Sequence, residues 1–296
     1  MSGDLSGKTV LITGGNVGLG RAVALELARK KAEVVIAGRS KDSCETTVKD
    51  ITALTKNDKV GYFPLDLASF QSISDFVKDF SACYSKLDIL VNNAGVWSPP
   101  FDSTEDNIET TIGINYLGHF YLTKLLGEYL IKSRARVVVL SSDTHKGGNI
   151  TPDLLDLHGD TPLLLKPLEN RTFKSDWLQY ARSNRARIYF ARELTLRHPE
   201  ITSVVVNPGA VKTSLGRNLC CLKCFGLLFS PLMKTPERGA EGVMYCCTSD
   251  LSKESGMYFS DCKPVELPEG SVDSKIQTQL WDVTDQLCNK LTNKRN

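Results

Sequence analysis

A glycine-rich turn near the start of the chain has the spacing that dinucleotide phosphates require. It runs from Thr13 to Gly20 as TGGNVGLG, and it joins an apolar run at 9–13 to helical spacing at 21–30. Glycines at such a turn let backbone N–H groups approach a pyrophosphate, and the N-terminus of the following helix favours its negative charge. A glycine triplet can also form a plain turn, but its place between a strand and a helix favours cofactor binding. The residues predicted to contact a nicotinamide dinucleotide here are Gly14, Asn16, Gly18, Leu19 and Gly20.

The end of the second apolar run selects between the two dinucleotides. An acidic side chain at this point hydrogen-bonds the ribose 2′-hydroxyl of NAD, whereas an arginine accommodates the 2′-phosphate of NADP. The chain has Gly38 there, followed by Arg39 and then Lys41. A guanidinium forms charge-assisted hydrogen bonds with phosphate. We therefore predict NADP(H) over NAD(H), with a solvated loop residue as the alternative interpretation of Arg39.

The rest of the chain alternates apolar runs with amphipathic stretches, which is the scaffold that such a turn needs. The runs predicted as strands are 9–13, 33–37, 60–65, 87–91, 136–140, 201–206 and 256–260. The stretches predicted as helices are 21–30, 42–54, 69–84, 104–131, 177–198, 239–248 and 272–291. Strands that are apolar on both faces, with helices between them, predict an α/β fold with a doubly wound parallel sheet of about seven strands. In such a sheet ligands bind above the carboxyl ends of the strands.

Composition limits the classes to which the protein can belong. The 296 residues are 41% hydrophobic and 24% charged, and no linker interrupts 8–258, so we expect one domain over 1–296. A net charge of +2 gives no electrostatic case for nucleic acid. No signal-peptide core and no run of 18 apolar residues occur, which predicts a cytoplasmic protein without a transmembrane span.

Several motifs together resemble the short-chain dehydrogenase/reductase superfamily over nearly the whole chain. They are the TGxxxGxG spacing of the glycine turn, NNAG at 92–95 and NPGAVKT at 207–213. The stretches NYLGHF at 115–120, KTP at 234–236 and GMYFSDC at 256–262 are similar to the retinol-dehydrogenase-like branch. The resemblance implies a Rossmann-type fold with helices on both faces of the sheet. The further cofactor contacts that it implies are Asp66, Leu67, Asn93, Ala94, Gly95, Pro208, Gly209, Val211 and Thr213.

The resemblance also implies a reaction. Family members transfer a hydride between nicotinamide and a carbonyl or alcohol carbon; a tyrosine moves the proton, a serine holds the oxygen and a lysine four residues after the tyrosine assists. The matching catalytic positions are Tyr180 and Ser142, with Asn115 as the family's asparagine. The lysine position holds Asn184, and none of the nine tyrosines has a lysine four residues later.

The missing lysine affects the two directions of the reaction unequally. A lysine at this spacing would share a helix face with Tyr180, and its charge would favour the phenolate that alcohol oxidation needs. Asn184 can hydrogen-bond a ribose hydroxyl but carries no charge, and neither Arg182 nor Arg185 lies on that face. We therefore predict an oxidoreductase that favours carbonyl reduction. The alternative is a non-catalytic NADP(H)-binding protein that acts as a sensor or interaction partner.

Two segments without family motifs are predicted to lie on the substrate side. The leucine-rich insertion 144–176 forms either an apolar wall over the nicotinamide or a surface excursion. The segment 214–235 contains the apolar stretch 219–233, which is too short to span a bilayer and is predicted as a lid for a small lipophilic carbonyl or alcohol substrate. Contact of this stretch with a membrane surface stays open, as does acylation of its cysteines. Its three cysteines have no nearby histidine and do not complete a zinc site, so no metal is predicted.

The final predicted helix has apolar residues at helical spacing over 272–291. Such a face must be buried. We expect it to pack on the core or on a partner subunit, so a homo-oligomer stays open.

Overall fold

One eight-stranded β-sheet lies at the centre of the computed structural model, which describes residues 3–213, 215, 233–268 and 272–293. Its strands are β1 (Thr9–Thr13), β2 (Glu33–Gly38), β3 (Val60–Pro64), β4 (Ile89–Asn92), β5 (Arg136–Leu140), β8 (Thr202–Asn207), β9 (Tyr258–Ser260) and β10 (Lys263–Val265). Their order is β10-β9-β8-β5-β4-β1-β2-β3, and every neighbouring pair is parallel except β9 and β10. The short pair β6 (Leu157–His158) and β7 (Thr161–Pro162) forms a separate antiparallel hairpin.

Helices cover both faces of this sheet. They are α1 (Gly18–Arg29), α2 (Lys41–Thr55), α3 (Phe70–Cys83), α4 (Thr110–Ile112), α5 (Gly118–Leu125), α6 (Gly127–Lys132), α7 (Pro152–Leu155), α8 (Phe173–Arg197), α9 (Pro236–Thr248) and α10 (Ser274–Asn293). Side chains of a strand alternate between the two faces. Leu11 of β1 therefore belongs to the core under α3, α5 and α8, whereas Val10 and Ile12 belong to the core under α1 and α9. The predicted doubly wound α/β fold is confirmed.

The predicted helix over 104–131 is wrong in its bounds. Glu109 accepts hydrogen bonds from the backbone N–H groups of Thr111 and Ile112, so the helix begins only at Thr110. Gly113–Leu117 then form a π-helical turn, and Leu126 separates α5 from α6. The spacing of apolar residues reveals neither the side-chain cap nor the π-helical turn. For this reason the sequence analysis predicted one continuous helix.

The insertion 144–176 packs mainly on the core. A 3₁₀ turn at Asp143–Gly147, α7, the β6–β7 hairpin and a second 3₁₀ turn follow each other within it. Its buried leucines are Leu154, Leu155, Leu164 and Leu165. They join the core under α8 rather than the cleft described below.

The final helix packs on this chain's own helices. Trp281 of α10 stacks on Phe190 of α8 at 5.8 Å and meets the edge of Phe120 of α5 at 4.7 Å between ring centroids. The Arg197 guanidinium lies 5.2 Å from the centre of the Trp281 ring. Of the two packing sites expected for this helix, the structure therefore shows the core. No helix among the described residues has the length and apolar character to cross a membrane.

Backbone hydrogen bonds join the two ends of the segment between Thr213 and Met233. The N–H of Lys212 donates to the Lys234 carbonyl at 2.9 Å, and the N–H of Lys234 donates to the Ala210 carbonyl at 2.8 Å. Val211 and Lys234 thereby form a parallel bridge beside the sheet.

Candidate active site

A cleft of about 470 Å³ opens where β1, β2, β4, β5 and β8 end. Three of the predicted catalytic residues line it, namely Tyr180, Ser142 and Asn184. Asn115 does not line the cleft and is fully buried behind it. The predicted cofactor contacts that line it are Gly14, Asn16, Gly18, Leu19, Gly20, Arg39, Asp66, Leu67, Asn93, Ala94, Gly95, Pro208, Gly209, Val211 and Thr213.

The glycine turn brings bare backbone to the cleft. Gly14 and Gly18 have φ values of +64° and +53°, a backbone conformation that residues with a side chain rarely adopt. A side chain on Gly20 would place its Cβ 2.3 Å from the Gly14 carbonyl oxygen. Helix α1 begins at Gly18 with no side-chain cap and no acidic residue in its first turn. Its first N–H groups therefore have no side-chain acceptor and suit an anion.

The end of β2 leaves little space for a side chain. A Cβ on Gly38 would lie 3.0 Å from Cys44 Sγ and 3.1 Å from Asn16 Oδ1. Asn16 is itself fixed by donating to Ser43 Oγ at 2.8 Å. Arg39 follows at the rim with an exposed side chain, and no ion pair holds it within the described part of the chain.

Tyr180 lies near the start of α8, where its ring is stacked on an indole. The ring centroids of Tyr180 and Trp97 are 5.3 Å apart with an angle of 19° between the planes, and Phe173 flanks Trp97 at 6.3 Å. Tyr180 is only 8% exposed. The sequence analysis missed Trp97, although an aromatic residue directly after NNAG and one valine was a visible signal.

Arg171 fixes the loop that carries Trp97. Its guanidinium pairs with Asp102 and Asp176 and donates to the Pro99 carbonyl. Asp176 in turn accepts from the Ser98 hydroxyl. Arg171 therefore ties this loop to the start of α8. Burial alone would raise the pKa of the Asp176 carboxyl, but hydrogen bonds from Arg171 and Ser98 outweigh it and hold that pKa below its usual value.

Ser142 and Asn184 meet at the 3₁₀ turn that follows β5. The Ser142 hydroxyl accepts from the N–H of Thr144 at 3.3 Å. Asn184 Nδ2 donates to Thr144 Oγ1 at 3.1 Å and to the Tyr180 carbonyl at 3.0 Å. Asn184 Oδ1 is buried without a hydrogen-bond partner among the described residues. Buried oxygens of this kind need a donor, and Asn184 is one of the residues that line the cleft.

Asn115 holds the loop after β4 in place from behind the cleft. Its side chain accepts from the N–H of Val96 at 2.8 Å and donates to the Val96 carbonyl and to Ser183 Oγ, both at 3.0 Å. It lies in the π-helical turn, a feature that often occurs at functional sites. These hydrogen bonds fix the loop that lines the cleft, and the catalytic role of Asn115 stays a prediction.

Arg187 is a buried cation that the sequence analysis missed. It lines the cleft, its Nε donates to the Asn115 carbonyl at 2.6 Å, and its guanidinium also donates to the Ala94 carbonyl. Burial lowers the pKa of Arg187 to about 10, while Tyr180 acts in the opposite direction. Residue 187 is seven positions after Tyr180 and therefore on the same helix face, a signal that the spacing of four did not cover.

His119 links this group to the glycine turn. A carbonyl can only accept, so His119 Nδ1 donates to the Asn115 carbonyl at 3.0 Å, which leaves Nε2 to accept from the Thr13 hydroxyl at 2.9 Å. Thr13 Oγ1 also accepts from the N–H groups of Asn93 and Ala94. Burial, and then the nearby Arg187 charge, lower the pKa of His119 to about 3.

His119 is expected to make stability depend on pH. Its folded-state pKa lies below the ordinary 6.5, so only the unfolded chain binds this proton as the pH falls from 6.5 towards 3. The free energy of unfolding should then fall by about 1.4 kcal/mol per pH unit from this residue alone. Urea unfolding at about pH 7 and pH 5 should show a smaller fall for His119→Gln than for the parent. The exposed His158→Gln variant should match the parent, and equal pH dependence of all three proteins would contradict the prediction.

Comparison with known proteins identifies the family. A family model described as short chain dehydrogenase matches residues 8–151. The chain is 40% identical to mouse retinol dehydrogenase 12, covering 96% of this chain and 87% of the mouse protein. It is 38% identical to human retinol dehydrogenase 14, covering 98% and 88%.

Solved structures show the same fold. An uncharacterized protein from Mycobacterium paratuberculosis matches with a TM-score of 0.74 at 28% identity, covering 97% of this chain and 95% of that one. A short-chain dehydrogenase from Escherichia coli CFT073, crystallised with NADPH, matches with a TM-score of 0.66 at 21% identity, covering 89% and 100%. The identity to retinol dehydrogenases over nearly the whole length shows that the chain belongs to the short-chain dehydrogenase/reductase family of oxidoreductases.

Proposed function

We propose that the protein is an NADP(H)-dependent oxidoreductase that transfers a hydride between the nicotinamide and a carbonyl or alcohol carbon of a small lipophilic substrate, with reduction favoured. One observation carries this proposal. Tyr180, which can move a proton, and Ser142, which can hold the substrate oxygen, line the same cleft as the glycine turn and Arg39.

The residues of the cleft fit a dinucleotide. The uncapped N-terminus of α1 suits its phosphates, and Arg39 suits a 2′-phosphate at the end of β2. The unpartnered Asn184 Oδ1 suits a ribose hydroxyl as donor. The fold neighbour crystallised with NADPH is consistent with this choice of cofactor.

The groups of the chain supply the proton and hold the substrate oxygen. When bound, the nicotinamide provides or accepts the hydride. The Ser142 hydroxyl donates to the substrate oxygen, and the Tyr180 hydroxyl gives that oxygen its proton during reduction. A tyrosine phenol is ordinarily protonated at neutral pH, which is the form that reduction uses. This supports reduction as the favoured direction.

A lipophilic substrate is supported by the relatives and by the wall beside Tyr180. The relatives are named retinol dehydrogenases, whose name states an apolar alcohol. Trp97 and Phe173 place aromatic surface next to the phenol ring.

We further propose that 1–296 form one NAD(P)-binding domain with 144–176 and 214–235 on its substrate side. Most of 214–235 lies outside the described residues. Within the stretch 219–233, Met233 is described, and the other residues, including Cys220, Cys221 and Cys224, are not. The lid and the membrane-surface contact therefore remain expectations from the sequence.

Calorimetry and NADPH consumption test the proposed function. We expect NADPH to bind more tightly than NADH, and NADPH to be consumed with apolar aldehydes such as retinal in a panel of aldehydes and ketones. Tight binding with no consumption across the panel would overturn the enzyme proposal and favour a non-catalytic binder. Absence of binding by either dinucleotide would overturn the cofactor site as well.

Arg39→Ala is expected to weaken NADPH binding about tenfold or more while changing NADH binding little. A hydrogen bond to a charged group contributes about 1.5–3 kcal/mol, and only NADPH offers the 2′-phosphate. Calorimetric titration of both dinucleotides measures the two effects. Lys41→Ala is the matched control, because Lys41 is a neighbouring exposed cation that does not line the cleft. Equal losses in both variants would show that general charge, rather than Arg39, attracts the cofactor.

A further inference from the structure

A buried guanidinium faces the cleft without a carboxylate partner in the described part of the chain. Arg187 is 5% exposed, and its hydrogen bonds to described residues go to the backbone carbonyls of Asn115 and Ala94. Buried cations are usually paired, because removing a charge from water is costly. A cation held only by carbonyls therefore retains its full charge for whatever occupies the cleft.

The geometry of α8 directs this charge towards Tyr180. Seven residues at 100° each bring residue 187 to within about 20° of residue 180 around the helix axis. Arg187 Nε donates to the carbonyl of Asn115, whose side chain in turn donates to Ser183 Oγ, so the long arginine reaches back along α8 and lines the same cleft as Tyr180. The guanidinium lies beside Gly95, where a Cβ would be 3.5 Å from one of its terminal nitrogens, in ordinary van der Waals contact.

We propose that Arg187 supplies, from one turn further along α8, the positive charge beside Tyr180 that Asn184 lacks. This inference rests on the proposed function. In reduction, the hydride carries two electrons to the carbonyl carbon and the Tyr180 proton moves to the substrate oxygen, which leaves a phenolate that solvent reprotonates. In oxidation the same groups act in reverse. Arg187 is a positioning residue that stabilises the phenolate in both directions and matters more for oxidation, which starts from the phenolate.

The other groups around Arg187 do not cancel its charge. His119 approaches from α5 and is neutral, because burial keeps its pKa near 3. The loop at 93–95 contributes only backbone and the Asn93 amide. Asp143, on the turn after Ser142, is paired with Lys146 at 3.0 Å and accepts from Asn207. Tyr180 is therefore the group that can respond to Arg187.

Four variants test the inference through three measurements. They are Arg187→Met, Arg187→Lys, the double variant Asn184→Lys with Arg187→Met, and the control Arg182→Met. The control lies on the same helix and outside the cleft. The first measurement is turnover in both directions, as the pH profile of alcohol oxidation with NADP⁺ and the rate of carbonyl reduction with NADPH. The second is the dissociation constant of NADPH, and the third is tyrosinate absorbance against pH without cofactor, with that of Tyr180→Phe subtracted.

We expect Arg187→Met to move the half-maximal pH of oxidation and the tyrosinate titration upwards, because a nearby positive charge favours the phenolate. Oxidation near pH 7 should fall about tenfold or more, with a smaller loss of reduction. Arg187→Lys should keep part of the effect, the double variant should restore it, and the control should match the parent.

Each other outcome has a defined meaning. An Arg187→Met protein that folds, binds NADPH and keeps both pH midpoints would overturn the inference while leaving the proposed function intact. A parent without turnover in either direction would overturn the proposed function, and the tyrosinate titration alone would then decide the role of Arg187. If Arg187→Met does not fold, restoration by the double variant supports the inference. A double variant that folds with the high pH midpoint overturns it.

Discussion

Tyr180→Phe is expected to lower carbonyl reduction by about 10²–10⁴-fold, because the variant loses the group that gives the substrate oxygen its proton. The ring and its stack on Trp97 remain, so the shape of the cleft should be preserved. Steady-state consumption of NADPH measures the loss, and calorimetry should show little change in cofactor binding.

Tyr189→Phe is the matched control for this prediction. Tyr189 lies on the same helix, is buried outside the cleft, and its hydroxyl accepts only from the N–H of Asp273 at 3.4 Å among the described residues. The control should keep the parent rate. A Tyr180→Phe enzyme within a few-fold of the parent would show that another group, such as the Ser142 hydroxyl or a water molecule, supplies the proton.

Gly20→Ala is expected to destabilise the glycine turn and to remove most of the affinity for NADPH. The new Cβ would lie 2.3 Å from the Gly14 carbonyl oxygen and 2.5 Å from Asn93 Nδ2, so backbone or the Asn93 side chain must shift. Overpacking of this kind costs about 1–3 kcal/mol, and displaced N–H groups no longer meet the phosphates. We expect NADPH binding to weaken by about tenfold to a hundredfold.

Gly127→Ala is the control, since a Cβ there meets nothing within 4 Å. It lies in α6, where alanine is a better helix former than glycine by about 1 kcal/mol. Urea unfolding should therefore show the control unchanged or stabilised and Gly20→Ala destabilised. Normal stability and NADPH affinity in Gly20→Ala would mean that the turn relaxes without cost, against the close packing described here.

The sheet could be predicted because its strands are buried on both faces. Continuous apolar runs such as those at β1 and β2 have this origin, and the glycine turn and Arg39 follow directly from their ends. The antiparallel edge strand β10 was missed because its three residues are exposed and include Pro264. Local pattern contains no signal for such a strand, whose position depends on the neighbouring β9.

Site residues could be predicted from the sequence where their type and position in the chain indicate their role. They could not be predicted where the role depends on packing contacts with other elements. Arg187 was missed because the search for a replacement cation stopped at spacings of two, four and five after Tyr180. Its burial and its contact with the Asn115 carbonyl arise from packing between α8 and the π-helical turn. Asn115 was predicted as a catalytic residue, and its side chain forms hydrogen bonds with Val96 and Ser183 behind the cleft, partners that the sequence does not reveal.

The bridge between Val211 and Lys234 has a consequence for how this protein can diversify. Because Val211 and Lys234 are bridged by backbone hydrogen bonds, we expect the number of residues between them to vary without moving either end. Doubling the length of such a closed segment costs only about 0.6 kcal/mol in chain entropy. Evolution, or a designer who exchanges this segment for that of a relative, is therefore expected to change its length and composition without rebuilding the sheet.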